Sequence, residues 1–407
     1  MNYILRFFVS FLILICSLSY AQSDKVFAGP MLSHVDAYGS QIWFLLDSSA
    51  KKIKIDVRDY ENDQLIEYSF NVLNKDKRSK IPYTISIETL EPNTEYRASV
   101  FVDNEFIKEL DIFTKRPHLD DIQFLLGSNL GNPSEKIFHH MTKTNSDFMV
   151  WLGGHVSFSS PITFEEIILK YIDVRSNDAL NNFMSSTPQI STWGQADYGL
   201  DIGVLFELKD NSHQAFDLFW PNSSQKTYNY TYFDYGTYQR YTYNDLDLFL
   251  LDAMSFMTED KSVLYSTKQL DRMFQEIKNN GATFTIIASP LPFTFDTEES
   301  YLQYKKEFDY FLERLDVAGV NGVVLLSTGN TSGTIMNEYK LPKKLGESKY
   351  VKKSLYEFHF SPLHMNTYSM VSISGKKGYR VFSFETYNEN GNLIYRKSLY
   401  ERELKIN

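Results

Sequence analysis

The sequence predicts an α/β chain in two parts, an antiparallel β-sandwich followed by a larger layered α/β domain. Two observations carry this. Residues 26–114 form short alternating apolar runs broken by turn residues, the pattern of half-buried antiparallel strands. After Pro117 the period changes, and wholly apolar runs alternate with stretches of helical spacing, the layout of helices packed on sheets buried on both faces.

The sandwich is clearest at residues 41–46 and 52–57, where Ile53, Ile55 and Val57 alternate with Lys52, Lys54 and Asp56. Leu90, Pro92 and Tyr96 resemble the tyrosine corner of fibronectin type III-like domains, in which the hydroxyl bonds back to the corner backbone. A linker at 115–118 contains Pro117, which stops strand pairing. Beyond it the buried runs are 122–126, 148–152, 246–251, 284–288 and 320–326. Helices are predicted over 134–143, 164–172, 266–278 and 301–315; in the last, Leu302, Tyr304, Phe308, Phe311, Leu312 and Leu315 form one apolar stripe. No internal repeat is present.

Composition narrows the function. At 407 residues and 43% hydrophobic, the chain is long enough for two substantial cores. Its 41 Lys and Arg against 51 Asp and Glu leave a net charge of -10, which repels a phosphate backbone, so nucleic acid is not an expected partner. The single cysteine, Cys16, falls in an N-terminal leader. Arg6 precedes an apolar run at 7–18 and small residues flank Tyr20, which reads as a signal peptide spanning 1–21, cleaved after Ala21. The rival is a lipoprotein leader lipidated at Cys16, against which stands the bulky Ile15 just before it. No later stretch approaches the ~20 apolar residues of a membrane span. The mature chain is thus expected to be exported, free of thiol chemistry, and held at a membrane only through a partner.

Two surface segments are candidate partner contacts. Residues 228–243 hold eight aromatics in sixteen positions, Tyr230, Tyr232, Tyr235 and Tyr238 among them. Such rings suit a protein or carbohydrate platform; the simpler reading is a β-hairpin of high strand propensity before the strand at 246. Residues 340–353 hold six lysines, including Lys343 and Lys344, and read as a solvated loop with an anionic-surface contact as the alternative.

Several segments in order along the mature chain resemble PhoD-like alkaline phosphatases and phosphodiesterases, a branch of the metallophosphoesterases. Gly29 to His34 with Trp43 resemble the opening of that family's N-terminal β-domain. Gly127-Ser128-Asn129 stands where the family has Gly-Ser-Cys, and Leu152-Gly153-Gly154 where it has Leu-Gly-Asp. Trp193-Gly194-Gln195-Ala196-Asp197-Tyr198-Gly199 is similar in frame to Trp-Asp-Asp-His-Asp-Tyr-Gly. Asp252-Ala253-Met254 resembles the strand end Leu-Asp-Thr-Arg, and Ser327-Thr328-Gly329-Asn330-Thr331 stands at Ser-Gly-Asp-Val-His. Leu355-Tyr356-Glu357-Phe358 with Ser361, and Asn390-Gly391, fit its closing segments. The resemblance implies a fibronectin type III-like domain over 22–116 and a metallophosphoesterase-like α/β sandwich over 117–407.

It also implies a two-metal site, and the departures fall on that site. Such a site needs carboxylate and imidazole donors and a bridging carboxylate to activate water. The positions that the resemblance assigns to it are here Asn129, Gly154, Gly194, Gln195, Ala196, Met254, Gly329 and Thr331. Clustered carboxylates without metal repel one another, so neutral residues are the more stable filling. His155, Asp197, Asp252, His359 and His364 remain nearby in sequence; the carboxylates are expected to bind loop backbone and the histidines to be partly exposed. No Gly-x-Ser-x-Gly elbow is present.

The expectation is a catalytically inactive PhoD-like homologue without metal or cofactor. It would act as a protein-binding or scaffold subunit in the cell envelope, periplasmic or at the surface, in the setting of an outer-membrane complex. Two alternatives stand beside it: an active phosphoesterase with relocated ligands, and a carbohydrate or small-ligand receptor using the emptied pocket.

Overall fold

The computed structural model describes residues 24–74, 77–115, 121–158, 163–199, 203, 207–222, 236–243, 245–278, 281–320, 322–329, 333–341 and 354–404. The leader, Arg116, Thr331, Tyr230, Tyr232, Tyr235, Lys343 and Lys344 lie outside the described residues.

The first part pairs two antiparallel sheets. One has the order β1-β2-β5 (Val26–Val35, Ser40–Asp47, Lys80–Ile87), the other β4-β3-β6-β7 (Leu65–Asn71, Lys52–Asp59, Glu95–Val102, Glu105–Phe113). Period-two alternation decides which face is inside: Ile53, Ile55 and Val57 of β3 and Tyr96, Ala98, Val100 and Val102 of β6 are buried between the sheets. The Tyr96 hydroxyl accepts the Glu91 N–H at 2.8 Å, closing the corner before β6.

The second part stacks two six-stranded sheets. The first has the order β10-β9-β8-β17-β18-β19 (Gln189–Thr192, Phe148–Leu152, Ile122–Gly127, Thr367–Ser374, Val381–Asn388, Leu393–Tyr400). Its β8, β9 and β10 run parallel, and β17 to β19 form an antiparallel meander. The second has the order β11-β12-β13-β14-β16-β15 (Gln239–Tyr243, Leu246–Leu250, Phe284–Ser289, Val323–Thr328, Ser354–Phe360, Ile335–Lys340), parallel at its centre with antiparallel edges.

Parallel strands covered on both faces must be apolar throughout. In β9, Phe148, Val150 and Leu152 point into the layer between the sheets while Met149 and Trp151 face the outer core. The stacked Phe358 and Phe384 rings, 4.7 Å apart, join the sheets across that layer.

Helices α1 (Glu135–Thr142), α2 (Phe164–Val174), α3 (Asp178–Ser186), α5 (Lys209–Phe219), α6 (Thr267–Lys278) and α7 (Lys305–Ala318) pack outside, with a single turn α4 (Gln195–Tyr198) between β10 and α5. A capping box starts α2, in which Thr163 and Glu166 bond each other's backbone N–H. The predicted stripe of α7 is buried at Tyr304, Phe308, Phe311 and Leu315. The outer face of β1 and β2 shares this core: Ala28, Met31, Trp43 and Leu45 are continuous with Trp151, Tyr171 and Phe219. Among the described residues no helix is long and apolar enough to cross a membrane.

Candidate functional site

Loops at the C-terminal ends of parallel strands are where such sheets place their sites, because several strand ends open on one crevice. Here β8, β9, β10, β13 and β14 deliver Asn129, the 153–156 loop, the 194–199 turn, Pro290 and Gly329 to a cleft of about 600 Å³. Six of the eight positions singled out in the sequence line it: Asn129, Gly154, Gly194, Gln195, Ala196 and Gly329. Met254 does not; it is 1% exposed, part of the outer apolar core.

The floor of the cleft is backbone packed on backbone. Gly154 has φ +75°, and a Cβ there would lie 1.7 Å from Asn129 Oδ1 and 2.6 Å from Asn129 Cα. A Cβ on Gly153 would meet the Gly194 nitrogen at 2.2 Å. The Asn129 and Leu130 N–H groups donate to the Gly153 and Gly154 carbonyls, both at 2.8 Å. No side chain fits at 154 in this arrangement.

Asp197 ties these loops together. Its carboxylate accepts N–H groups from Gly154 (2.6 Å), His155 (2.7 Å), Val156 (3.1 Å) and Gly194 (2.9 Å), and it is fully buried. Asp252 is occupied in the same manner, accepting from the backbone of Thr237, Met254 and Ser255 at 2.8 to 2.9 Å and from the Ser255 hydroxyl at 2.7 Å. Glu357 accepts from the Phe293 and Thr294 N–H groups, the Thr294 hydroxyl and Ser327 Oγ; burial pushes its carboxyl up, and these donors oppose the shift. These three buried carboxylates satisfy loop donors that would otherwise be orphaned, so none of the three presents free oxygens to the cleft.

The expectation of partly exposed histidines is corrected at two of three positions. His155 and His359 are 2% and 3% exposed, whereas His364 is exposed at the cleft rim. Burial pulls both inner imidazoles down to about 4, for His155 with Arg175 adding to the fall and Asp197 opposing it. They are buried because each is neutral and held: His155 Nε2 lies 2.7 Å from Ser191 Oγ with its ring 4.2 Å from that of Trp220. His359 Nδ1 lies 3.0 Å from Ser327 Oγ, whose own proton goes to Glu357. That network assigns the His359 proton to Nδ1 and leaves Nε2 as an acceptor beside Gly329. Tyr238 is also corrected as a surface contact: it is 5% exposed, its hydroxyl donating to Glu276 at 2.7 Å and its ring stacked on Phe249.

Sequence reasoning missed Lys170, Asp173 and Glu299, the charged groups of the cleft wall. Lys170 and Asp173 sit three apart on α2 and read in sequence as a solvated helix face. One cation, two carboxylates and His364, with Val156, Phe158, Val174 and Leu291 as apolar wall, make a cleft of mixed polarity. Among the described residues no group of three or more His, Cys, Asp or Glu is placed to hold a metal ion.

No family model matches the chain, and no curated protein does. Among solved structures, the one titled "Structure of PhoD" is similar over 94% of this chain and 92% of that one, with a TM-score of 0.73 at 12% identity. The sensor domain of the anti-sigma factor RsgI4 of Pseudobacteroides cellulosolvens covers 22% of this chain and 87% of its own at 17% identity, with a TM-score of 0.18. A single mutant of Vps29 from Entamoeba histolytica covers 69% and 99% at 8% identity, with a TM-score of 0.23. The last two likenesses are too low to bear on the fold. The chain is a mixed α/β protein of stacked sheets. Its fold is PhoD-like.

Proposed function

We propose that the chain is an exported, catalytically inactive relative of PhoD-like phosphoesterases that serves as a protein-binding or scaffold subunit of the cell envelope, in an outer-membrane complex. The observation that carries the loss of catalysis is the packing of Gly154 against Asn129 under the four N–H bonds to Asp197. A loop locked in that form has no room for a ligand side chain at 154, and the carboxylate beside it is spent on backbone. Export rests on the leader at 1–21. We read the N-terminal sandwich as fibronectin type III-like from its three-plus-four strand order and the Tyr96 corner.

A binding role follows from what the fold keeps once chemistry is lost, since fold alone does not carry function. Affinity purification of the native protein from its own membranes tests it. A stoichiometric envelope protein should co-purify, survive Gly329→Leu in a folded chain, and weaken with Tyr230→Ala, Tyr232→Ala or charge reversal at Lys343 and Lys344. The open cleft of about 600 Å³ supports a second reading, a receptor for a small ligand. On that reading Gly329→Leu abolishes binding and the surface changes do not.

A further inference from the structure

Arg175 follows the last turn of α2 and is 1% exposed. Its guanidinium lies between two indoles, Cζ 5.0 Å from the ring centre of Trp43 on β2 and 4.4 Å from that of Trp220 after α5. Nη2 donates to the Phe219 carbonyl at 3.0 Å, and Nη1 meets the sulfurs of Met184 and, at 3.5 Å, Met31. It therefore stands at the contact of the β-sandwich with the α/β layers. Among the described residues no carboxylate forms an ion pair with it.

A buried charge costs several kcal/mol unless an opposite charge and hydrogen bonds accompany it. Rings, thioethers and one carbonyl supply neither a counter-charge nor a partner for every donor. Arg175 Nε–H has no acceptor among the described residues, and the same holds for Trp220 Nε1–H and the Tyr171 hydroxyl. His155 Nδ1 is likewise without a partner. These groups are neighbours: the His155 and Trp220 rings are 4.2 Å apart, Trp220 faces Arg175, and the Tyr171 ring stacks at 4.8 Å on that of Phe219, whose carbonyl accepts from Arg175. Asp197, the carboxylate felt by Tyr171 and His155, spends its oxygens on backbone N–H groups. Unpaired burial also pulls the guanidinium down to about 9.

We propose that this cluster binds a small monovalent anion of halide size as the counter-ion of Arg175, at the junction of the two parts of the fold. Arg175 Nε–H, Trp220 Nε1–H and the Tyr171 O–H are its donors. His155, whose Nε2 faces the Ser191 hydroxyl and the Thr192 carbonyl, borders the cluster. Water would satisfy the donors but leave the charge unpaired, which is why an anion is the better occupant. His155 also lines the cleft, so it separates the anion from the cleft.

The mature full-length protein tests this with chloride and bromide as probes. Crystals grown in bromide should show anomalous density beside Arg175 Nε. The thermal midpoint should rise with the logarithm of chloride relative to gluconate at equal ionic strength, as linkage to folding requires. Effects of salt on water act on every variant alike, so the readout is the wild-type response relative to variants. Trp220→Phe and Tyr171→Phe each leave an aromatic ring in place and remove one donor; both should shrink the chloride response, and Arg175→Met should abolish it where the protein folds. Bromide density absent from Arg175, or a chloride response equal in wild type, Trp220→Phe and Tyr171→Phe, overturns the proposal.

Discussion

Asp197 holds Gly154 by its backbone: the carboxylate accepts the Gly154 N–H at 2.6 Å while bonding three further N–H groups from the 155–156 and 194 positions. A carboxylate so placed cannot be removed cheaply, because each donor it leaves would be buried and unsatisfied. Asp197→Ala should cost on the order of 3 kcal/mol or more in urea unfolding, and Asp197→Asn less, since one acceptor oxygen remains. Equal costs for the two substitutions would show that packing volume, not the acceptor set, is what Asp197 provides.

Gly154→Ala should destabilise by roughly 2 kcal/mol or more, from the left-handed backbone and the encounter with Asn129. Asn129→Gly in the same chain should recover part of that, and the double-mutant cycle measures how much. Purely additive losses would mean that the two residues do not compete for one space.

Much of this frame is legible in the sequence. The runs at 122–126, 148–152, 284–288 and 320–326 announce strands because a sheet buried on both faces leaves no polar alternation to blur them. Helices α3 and α5 are not predicted: their polar runs Asp178-Ala179-Leu180-Asn181-Asn182 and Lys209-Asp210-Asn211 hide stripes that only tertiary packing buries. At the site, the six cleft positions are found through resemblance. The burial of His155, His359 and Tyr238 is not, since one residue type serves core and surface alike and the deciding neighbours Trp220, Ser327 and Glu276 are remote in sequence. Arg175 carries no signal, as an arginine at a helix end reads as solvated.

Acid should loosen the protein in a defined window. His155 and His359 titrate near 6.5 when unfolded and near 4 when folded, so between these values the unfolded chain binds more protons. Stability therefore falls as pH drops from about 6.5 to about 4, by at most about 1.4 kcal/mol per unit of pKa difference for each group. Melting midpoints should decline already between pH 6.5 and 5, above the range where exposed carboxylates titrate, and His155→Gln should flatten that decline. Midpoints level across that interval would contradict the neutral, buried assignment.

Tyr96→Phe removes the acceptor of the Glu91 N–H. A loss of about 1 kcal/mol is expected in thermal or urea unfolding, with partner recovery unchanged. An unchanged melt would remove the corner bond as a support of the sandwich.

We propose that the cleft performs no metal-dependent hydrolysis. Elemental analysis of the purified protein after equilibration with zinc, iron, manganese and calcium, paired with assays on phosphomonoester and phosphodiester substrates, is the deciding measurement. No stoichiometric metal and no hydrolysis above background are expected. About one or two tightly bound ions per chain, with hydrolysis abolished by chelation, would contradict it.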